Sequence, residues 1–371
     1  MLLAWGRSHR TSTDAEMIRW NQPLARVEGR GAAPEATVEV ALVAEGTGQR
    51  KRIRVNGVPR RSSQLAGVLR VVLFAPEEML LVAGSPGLRR AAIDQLAGQR
   101  TSAYLRNLAT YGRALQQRNG LLRAIREEQA GRDELRFWTE AILESGAAIV
   151  TERLALLDEL RQPVLRAHRE IAPEEAAGAG LTIRYETNAP ALPGESARDA
   201  LARRLAETAE KEVWNGTTLV GPHRDDLVFE LDGRSLAGFA SRGQQRTAIL
   251  AFKLAELDLL TALDGRPPLL LLDDVFSELD PARRAHLVRR IADLPQAFIT
   301  TTTLEDLDPE LRAEATSWAV GGDEAGATLG EPAGGGDSGG GGGEGRTAVD
   351  ALPAGTGLAG TGFAAPAAPG R

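Results

Sequence analysis

The chain has no cysteine among its 371 residues. Disulfides and thiolate metal sites are therefore excluded, and the composition fits a reducing compartment, so a cytoplasmic location is expected. Lysine is nearly missing as well: of the 44 basic residues only Lys51, Lys211 and Lys253 are lysine, and the rest are arginine. Aromatic residues make up 4%, which leaves aliphatic side chains to build a core. No apolar stretch approaches the roughly 18 residues of a membrane span. The apolar run Met1-Leu2-Leu3-Ala4-Trp5 is too short for a signal peptide, and no membrane partner is expected. An excess of basic charge is missing too. The net charge of −6 excludes a uniformly basic nucleic-acid coat, so any DNA contact must use a local patch. Finally, no G-x-x-x-x-G-K-[ST] phosphate loop occurs anywhere in the chain.

What is present is most informative at Leu269-Leu270-Leu271-Leu272-Asp273-Asp274, continuing to Ser277-Glu278-Leu279-Asp280. Four leucines behind Pro267-Pro268 predict a short strand buried on both faces. Two carboxylates follow at its C-terminal end, where open α/β sheets place ligands. One carboxylate can hold Mg²⁺ and the next can orient a water, which is a Walker-B layout.

Residues 35–73 are expected to be β-rich: a valine-rich strand over 37–43, an alternating one over 51–55, a type I′ turn at Asn56-Gly57, and a strand over 69–74. Ser85-Pro86 suggests a helix start. Residues 88–165 carry apolar residues at helical spacings with charges between, which predicts an amphipathic bundle or a short coiled-coil arm. Residues 173–180 form a linker, 181–185 a strand and 196–213 another helix. From 321 to 371 the chain is rich in Gly, Ala and Pro and cannot bury enough apolar surface to offset chain entropy, so a disordered tail is expected.

Four further segments can carry chemistry. Ser241-Arg242-Gly243-Gln244-Gln245-Arg246-Thr247 opens a strongly periodic helix. Ser241 is a plausible N-cap, and free N–H groups beside Arg242 and Arg246 would suit an anion. An ordinary capped helix explains the same residues. Asp280-Pro281 caps a helix over 282–291, which needs no function. Phe298-Ile299-Thr300-Thr301-Thr302-Thr303 predicts a core strand ending in hydroxyls. Gly221-Pro222-His223-Arg224-Asp225-Asp226 is a polar turn whose spacing matches no strong zinc pattern, and no metal is expected there.

Together these segments resemble the ABC-type ATPases of DNA repair. The segment Gly221-Pro222-His223-Arg224-Asp225-Asp226 narrows the resemblance to the RecF family. So do Gly6-Arg7-Ser8-His9-Arg10-Thr11-Ser12, Phe74-Ala75-Pro76-Glu77, and Gly84-Ser85-Pro86 with Arg89-Arg90. The resemblance spans roughly residues 6–305. It implies an α/β fold, an ABC/SMC-like ATPase head of the P-loop NTPase class with its P-loop unit missing and a helical lobe inserted. The divisions would be a head remainder at 1–90, a helical lobe at 91–215, the C-terminal half of the head at 216–320, and the tail.

The resemblance also implies function. Members bind ATP and Mg²⁺, form an ATP-dependent homodimer, and bind single-stranded and gapped double-stranded DNA. They act with RecO and RecR to load recombinase in recombinational repair, replication and the SOS response. Carried over by motif, Asp273 would ligate Mg²⁺, and Asp274 would stand where relatives of the transporter type keep a catalytic Glu. Ser241, Arg242, Gly243 and Gln244 would form the signature facing the other subunit's nucleotide. Ser277 and Asp280 would lie in the loop across the interface, and Thr301 or a neighbour would replace the switch His. A shorter carboxylate and no switch His imply slow hydrolysis that times dimerisation. The cluster Arg50, Lys51, Arg52, Arg54, Arg60 and Arg61 is the candidate DNA patch, with a solvated hairpin face as its plain explanation. In this family a strand, phosphate loop and helix precede the segment matching Gly6-Arg7-Ser8-His9-Arg10. Either the natural chain starts upstream, or this one is a truncated homologue acting only as a DNA- or partner-binding structural protein.

Overall fold

The computed structural model describes residues 1–11, 13–32, 35–44, 51–175, 178–323 and 326–330. A one-turn helix α1 (Leu2–Trp5) precedes four strands, β1 (Leu24–Ala32), β2 (Glu35–Val43), β3 (Lys51–Val55) and β4 (Val58–Arg60), which form an antiparallel sheet in that order. Asn56 (φ 51°) and Gly57 (φ 76°) make the expected turn between β3 and β4. Alternation in β2 sends Val38, Val40 and Leu42 inward with Ile53 of β3, onto Ile18 and Leu65, a small core of its own. Strand β1 has no counterpart in the sequence reading. Its glycines and charges hide it, and pairing with β2 supplies the order that propensity lacks. Gly29 lets Leu3 of α1 lie across the strand: a Cβ there would come within 2.6 Å of its terminal methyl, and the leucine would have to shift.

The main core begins at β5 (Val71–Phe74), whose four side chains are all buried. Helices α2 (Pro86–Arg100), α3 (Ser102–Arg126) and α4 (Leu135–Ile171) follow, then β6 (Leu181–Glu186) and α5 (Ala197–Asn215). Next come β7 (Asp226–Leu231), β8 (Arg234–Ser235), α6 (Leu236–Phe239), α7 (Arg242–Ala262) and β9 (Leu269–Asp273). The described chain closes with α8 (Pro281–Ala292), β10 (Ala297–Thr300), α9 (Pro309–Glu314) and a hairpin of β11 (Val320–Asp323) and β12 (Gly326–Leu329). Strands β10, β9 and β5 form a parallel sheet with β9 in the middle, and β6, β7 and β8 form an antiparallel one. Helix α7 is buried along most of its length between α4 and β5.

Three expectations change. The leucine strand is not buried on both faces: Leu270 and Leu272 are buried, but Leu269 and Leu271 are only half-buried, and the neighbouring Phe298 of β10 is 44% exposed. The strand expected over 298–303 ends at Thr300, where the chain leaves its register with β9. The tail expected from 321 on begins inside a hairpin, because Val320–Asp323 pairs with Gly326–Leu329; residues 331–371 lie outside the described residues. Among the described residues no helix is long and apolar enough to cross a membrane.

Arg153 joins the layers. Its guanidinium is 2% exposed and forks onto Asp94 of α2 (2.9 and 3.0 Å), reaching Tyr104 of α3, Tyr185 of β6 and the Pro222 carbonyl (2.9 Å). Removing one partner of such a pair leaves the other charge buried and alone. Arg153→Met is therefore expected to lower unfolding free energy by about 3–5 kcal/mol in urea titrations. A loss below about 1 kcal/mol would contradict this account.

Candidate functional site

At the C-terminal end of β9, Asp273 still holds strand geometry while Asp274 turns left-handed, at φ 52°. The turn is held from β10: the Asp274 N–H donates to the Thr300 carbonyl (3.1 Å) and to its Oγ1 (3.2 Å), and Ser277 Oγ donates to the Asp274 carbonyl (2.9 Å). Asp274 Oδ1 is buried with no hydrogen-bond partner. Strain and an oxygen unpaired within the chain set this carboxylate apart from the others at the strand end.

Asp273 lies beside it. Its Oδ2 accepts from Arg10 Nη2 (2.6 Å), and its Oδ1 accepts from Thr300 Oγ1 (2.7 Å). Burial pushes this carboxyl up, but Thr300 and Arg10 outweigh burial and hold it below the usual carboxylate range. His9 feels the charges of both Asp273 and Glu77, so the segments containing His9-Arg10 and Pro76-Glu77 converge on the strand end. Of Thr301 and its neighbours, Thr300 is the one whose hydroxyl meets Asp273. Register pairs Thr300 with Asp273, whereas Thr301 Oγ1 donates to the Thr303 carbonyl (2.9 Å).

The next turn, Glu278, the cap Asp280 and α8 face helix α7. Ser241 caps α7 in a box: the Gln244 N–H donates to Ser241 Oγ (3.2 Å), and the Ser241 N–H to Gln244 Oε1 (3.1 Å). Arg246 pairs with Glu278, and Arg283, held by Asp280, donates to Thr247 Oγ1 (2.7 Å). Asp280 also caps α8 through the Arg283 N–H (3.0 Å). The four signature residues and the loop with Ser277 and Asp280 thus belong to two elements tied together. Ser241, Arg242 and Phe239 are exposed, Phe239 by 83%. The Gly243 position is open, since a Cβ there would meet only Ser241 Oγ at 3.7 Å.

The remaining family segments weld the fold. Arg89 grips Asp226 with two hydrogen bonds (2.7 and 2.8 Å) and the Gly84 carbonyl (2.7 Å), while Arg90 donates to the Asp225 carbonyl (2.6 Å). His223 Nδ1 lies 2.6 Å from Tyr111 Oη, and its Nε2 lies 3.2 Å from the Thr218 carbonyl. Burial lowers its pKa to about 4. Arg10, Glu77 and Thr300 gather around the strand end without having been named individually in the sequence reading, which expected Thr301 or a neighbour. For Arg10 and Glu77 the signal was their place in quoted family segments; for Thr300 it was strand register, which only pairing fixes.

The basic hairpin is diluted by acids. Lys51 pairs with Asp14 (2.7 Å), and Arg54 lies opposite Glu39 in the β2–β3 register, beside Arg26, which bonds Glu28 and Glu39. Arg52, Arg60 and Arg61 are exposed, and Arg50 lies outside the described residues. For Mg²⁺, no three His, Cys, Asp or Glu side chains gather among the described residues. One carboxylate suits that ion, which commonly relies on phosphate and water for its other ligands; Arg10 and Thr300 each bond one oxygen of Asp273, and each oxygen keeps a further lone pair.

No protein-family model matches the chain. The DNA replication and repair protein RecF of Geobacillus kaustophilus (strain HTA426) is 40% identical over 324 residues, 86% of this chain and 86% of that protein. The solved structure of the recombination mediator protein RecF-ATP in the RecFOR pathway matches with a TM-score of 0.74 at 31% identity, over 83% of this chain and 82% of that one. The corresponding RecF-ATPrS structure matches with a TM-score of 0.74 at 30% identity and the same coverage. The α/β ATPase-head fold with an inserted helical lobe, implied by the resemblance, is the fold of these structures.

Two predictions follow from the geometry. Asp274→Gly, which removes both the left-handed strain and the orphaned oxygen, is expected to stabilise the fold by about 1 kcal/mol in urea unfolding; destabilisation would show that the carboxylate has a structural partner. His223 is neutral in the fold while the unfolded chain takes up its proton from about pH 6.5 downward. Its contribution is fully present above that pH and is lost as pH falls toward about 4, roughly 3 kcal/mol at most. His223→Gln should flatten the stability profile in that window, and an unchanged acid limb would refute the assignment.

Proposed function

Since the chain belongs to the RecF family, we propose that it is a DNA replication and repair protein of the RecFOR pathway that binds gapped and single-stranded DNA as an ATP-dependent dimer. RecO and RecR are the proposed partners, and recombinase loading the proposed outcome. Asp274 carries the nucleotide part of this reading: a strained, unsatisfied carboxylate beside Asp273 at a parallel strand's end is suited to orienting a water. Mg²⁺, when bound, would neutralise phosphate charge, with Asp273 as its protein ligand. Arg10 and Thr300 set the position and charge of that carboxylate.

The tied signature helix and interface loop support a second, outward-facing role. Ser241 and Arg242 lie exposed beside Phe239, an apolar side chain left uncovered in a single chain. In a dimer these residues would meet the nucleotide held by the partner, and Thr301 keeps no proposed role beyond shaping the turn after Thr300. The second reading, a structural protein that binds DNA or a partner without hydrolysing ATP, is favoured by one observation: Arg10 neutralises Asp273 from within the chain itself.

Analytical ultracentrifugation with Geobacillus kaustophilus RecF separates the two readings. A mixed dimer is expected with ATP and Mg²⁺ but not without them, and Ser241→Arg should abolish it. Gapped-duplex binding that is equal with and without ATP, together with no mixed dimer, would leave the structural reading standing.

A further inference from the structure

Helix α3 is 25 residues long and contains no aspartate or glutamate, while five of its residues are arginine. Arg118 is buried and neutralised by Glu212 (2.7 Å). Arg126 lies near Glu127 at the helix end. Arg106, Arg113 and Arg123 are exposed, and among the described residues none of them pairs with a carboxylate; Arg106 bonds only Ser102 and Arg113 only Thr110. Arg106 and Arg113, seven apart, share one face, and Arg123 lies about 80° round from Arg113, with exposed Ala109, Gly112 and Gln116 beside them. Gly112 and Gly120 each have nothing within 4 Å of an added Cβ. Mid-helix glycine weakens a helix, and no packing within the chain requires it here.

We propose that this face of α3 is a binding surface for the backbone of duplex DNA. The inference rests on the DNA-binding reading above and assigns it to a place other than the β3–β4 hairpin. Charge complementarity selects the occupant: uncompensated guanidinium groups on a helix without acids suit closely spaced phosphates. From Arg106 to Arg123 the helix rises about 25 Å, a length along which one strand presents roughly seven phosphates. The small residues let the helix backbone approach the duplex. Both aromatic side chains of α3, Tyr104 and Tyr111, are buried, so the face offers nothing for unstacked bases to stack on, and duplex is favoured over single strand. The turn Ser62–Gln64 approaches the same helix.

Fluorescence anisotropy with an intact duplex, titrated at several NaCl concentrations, tests the assignment. The R106Q/R113Q/R123Q variant is expected to bind roughly tenfold or more weakly at low salt and to lose about 2–3 from the slope of log K against log salt. Gly112→Leu should raise the unfolding midpoint, since leucine is the better helix former, yet weaken duplex binding several-fold. Unchanged affinity and slope in both variants would overturn the inference, as would loss of single-strand binding alone. A slope lost instead in R52Q/R54Q would place the contact on the hairpin, leaving the DNA-binding reading intact. Failure of the unaltered chain to bind gapped or intact duplex would overturn both.

Discussion

The structure depends on a buried arginine. Arg153 sits mid-way along the 37-residue α4, where nothing but protein surrounds it, and a charge there must be fully satisfied. The groups that satisfy it come from α2, α3, β6 and the turn at Pro222. Each of those elements is therefore placed relative to α4 by one guanidinium with a fixed fork. The adjoining ties repeat the pattern: Arg89 onto Asp226, Arg118 onto Glu212 and Thr218, and Lys253 of α7 between Glu78 and Glu256. Apolar packing alone would allow helices to slide; directional buried pairs fix one arrangement.

This scaffold explains how the acidic strand end at Asp273-Asp274 and the capped helix α7 come to be linked. Glu77 and Glu78 are neighbours on the short Pro76–Leu80 turn. Glu77 acts on His9 beside Asp273, and Glu78 reaches Lys253 inside α7 (2.5 Å). From the other side, the loop after Asp274 reaches α7 through Glu278 and Arg283. The loop after the strand end is thus tied directly to the capped helix through Glu278 and Arg283.

Much of this was legible in residues. The leucine strand, its carboxylates, the Ser241 cap, the Asp280-Pro281 helix start and the Asn56-Gly57 turn are local devices, each decided by chemistry within a few positions. Strand β1 was not legible, because an edge strand with two glycines is ordered by the partner it bonds to. The role of Thr300 was not legible either: a run of four threonines gives no reason to choose one, and parallel register with β9 makes the choice.

The sequence by itself determined the family, the acidic strand end and the Ser241 cap of α7, since these lie in contiguous motifs. Only the tertiary structure decided that the segment Gly221-Pro222-His223-Arg224-Asp225-Asp226 is a joint, that Arg10 holds Asp273, and that three arginines of α3 stand exposed away from any carboxylate among the described residues. Those facts depend on which distant charges become neighbours. Charge pairing across hundreds of residues leaves no periodic trace in a sequence, whereas caps, turns and strand patterns do.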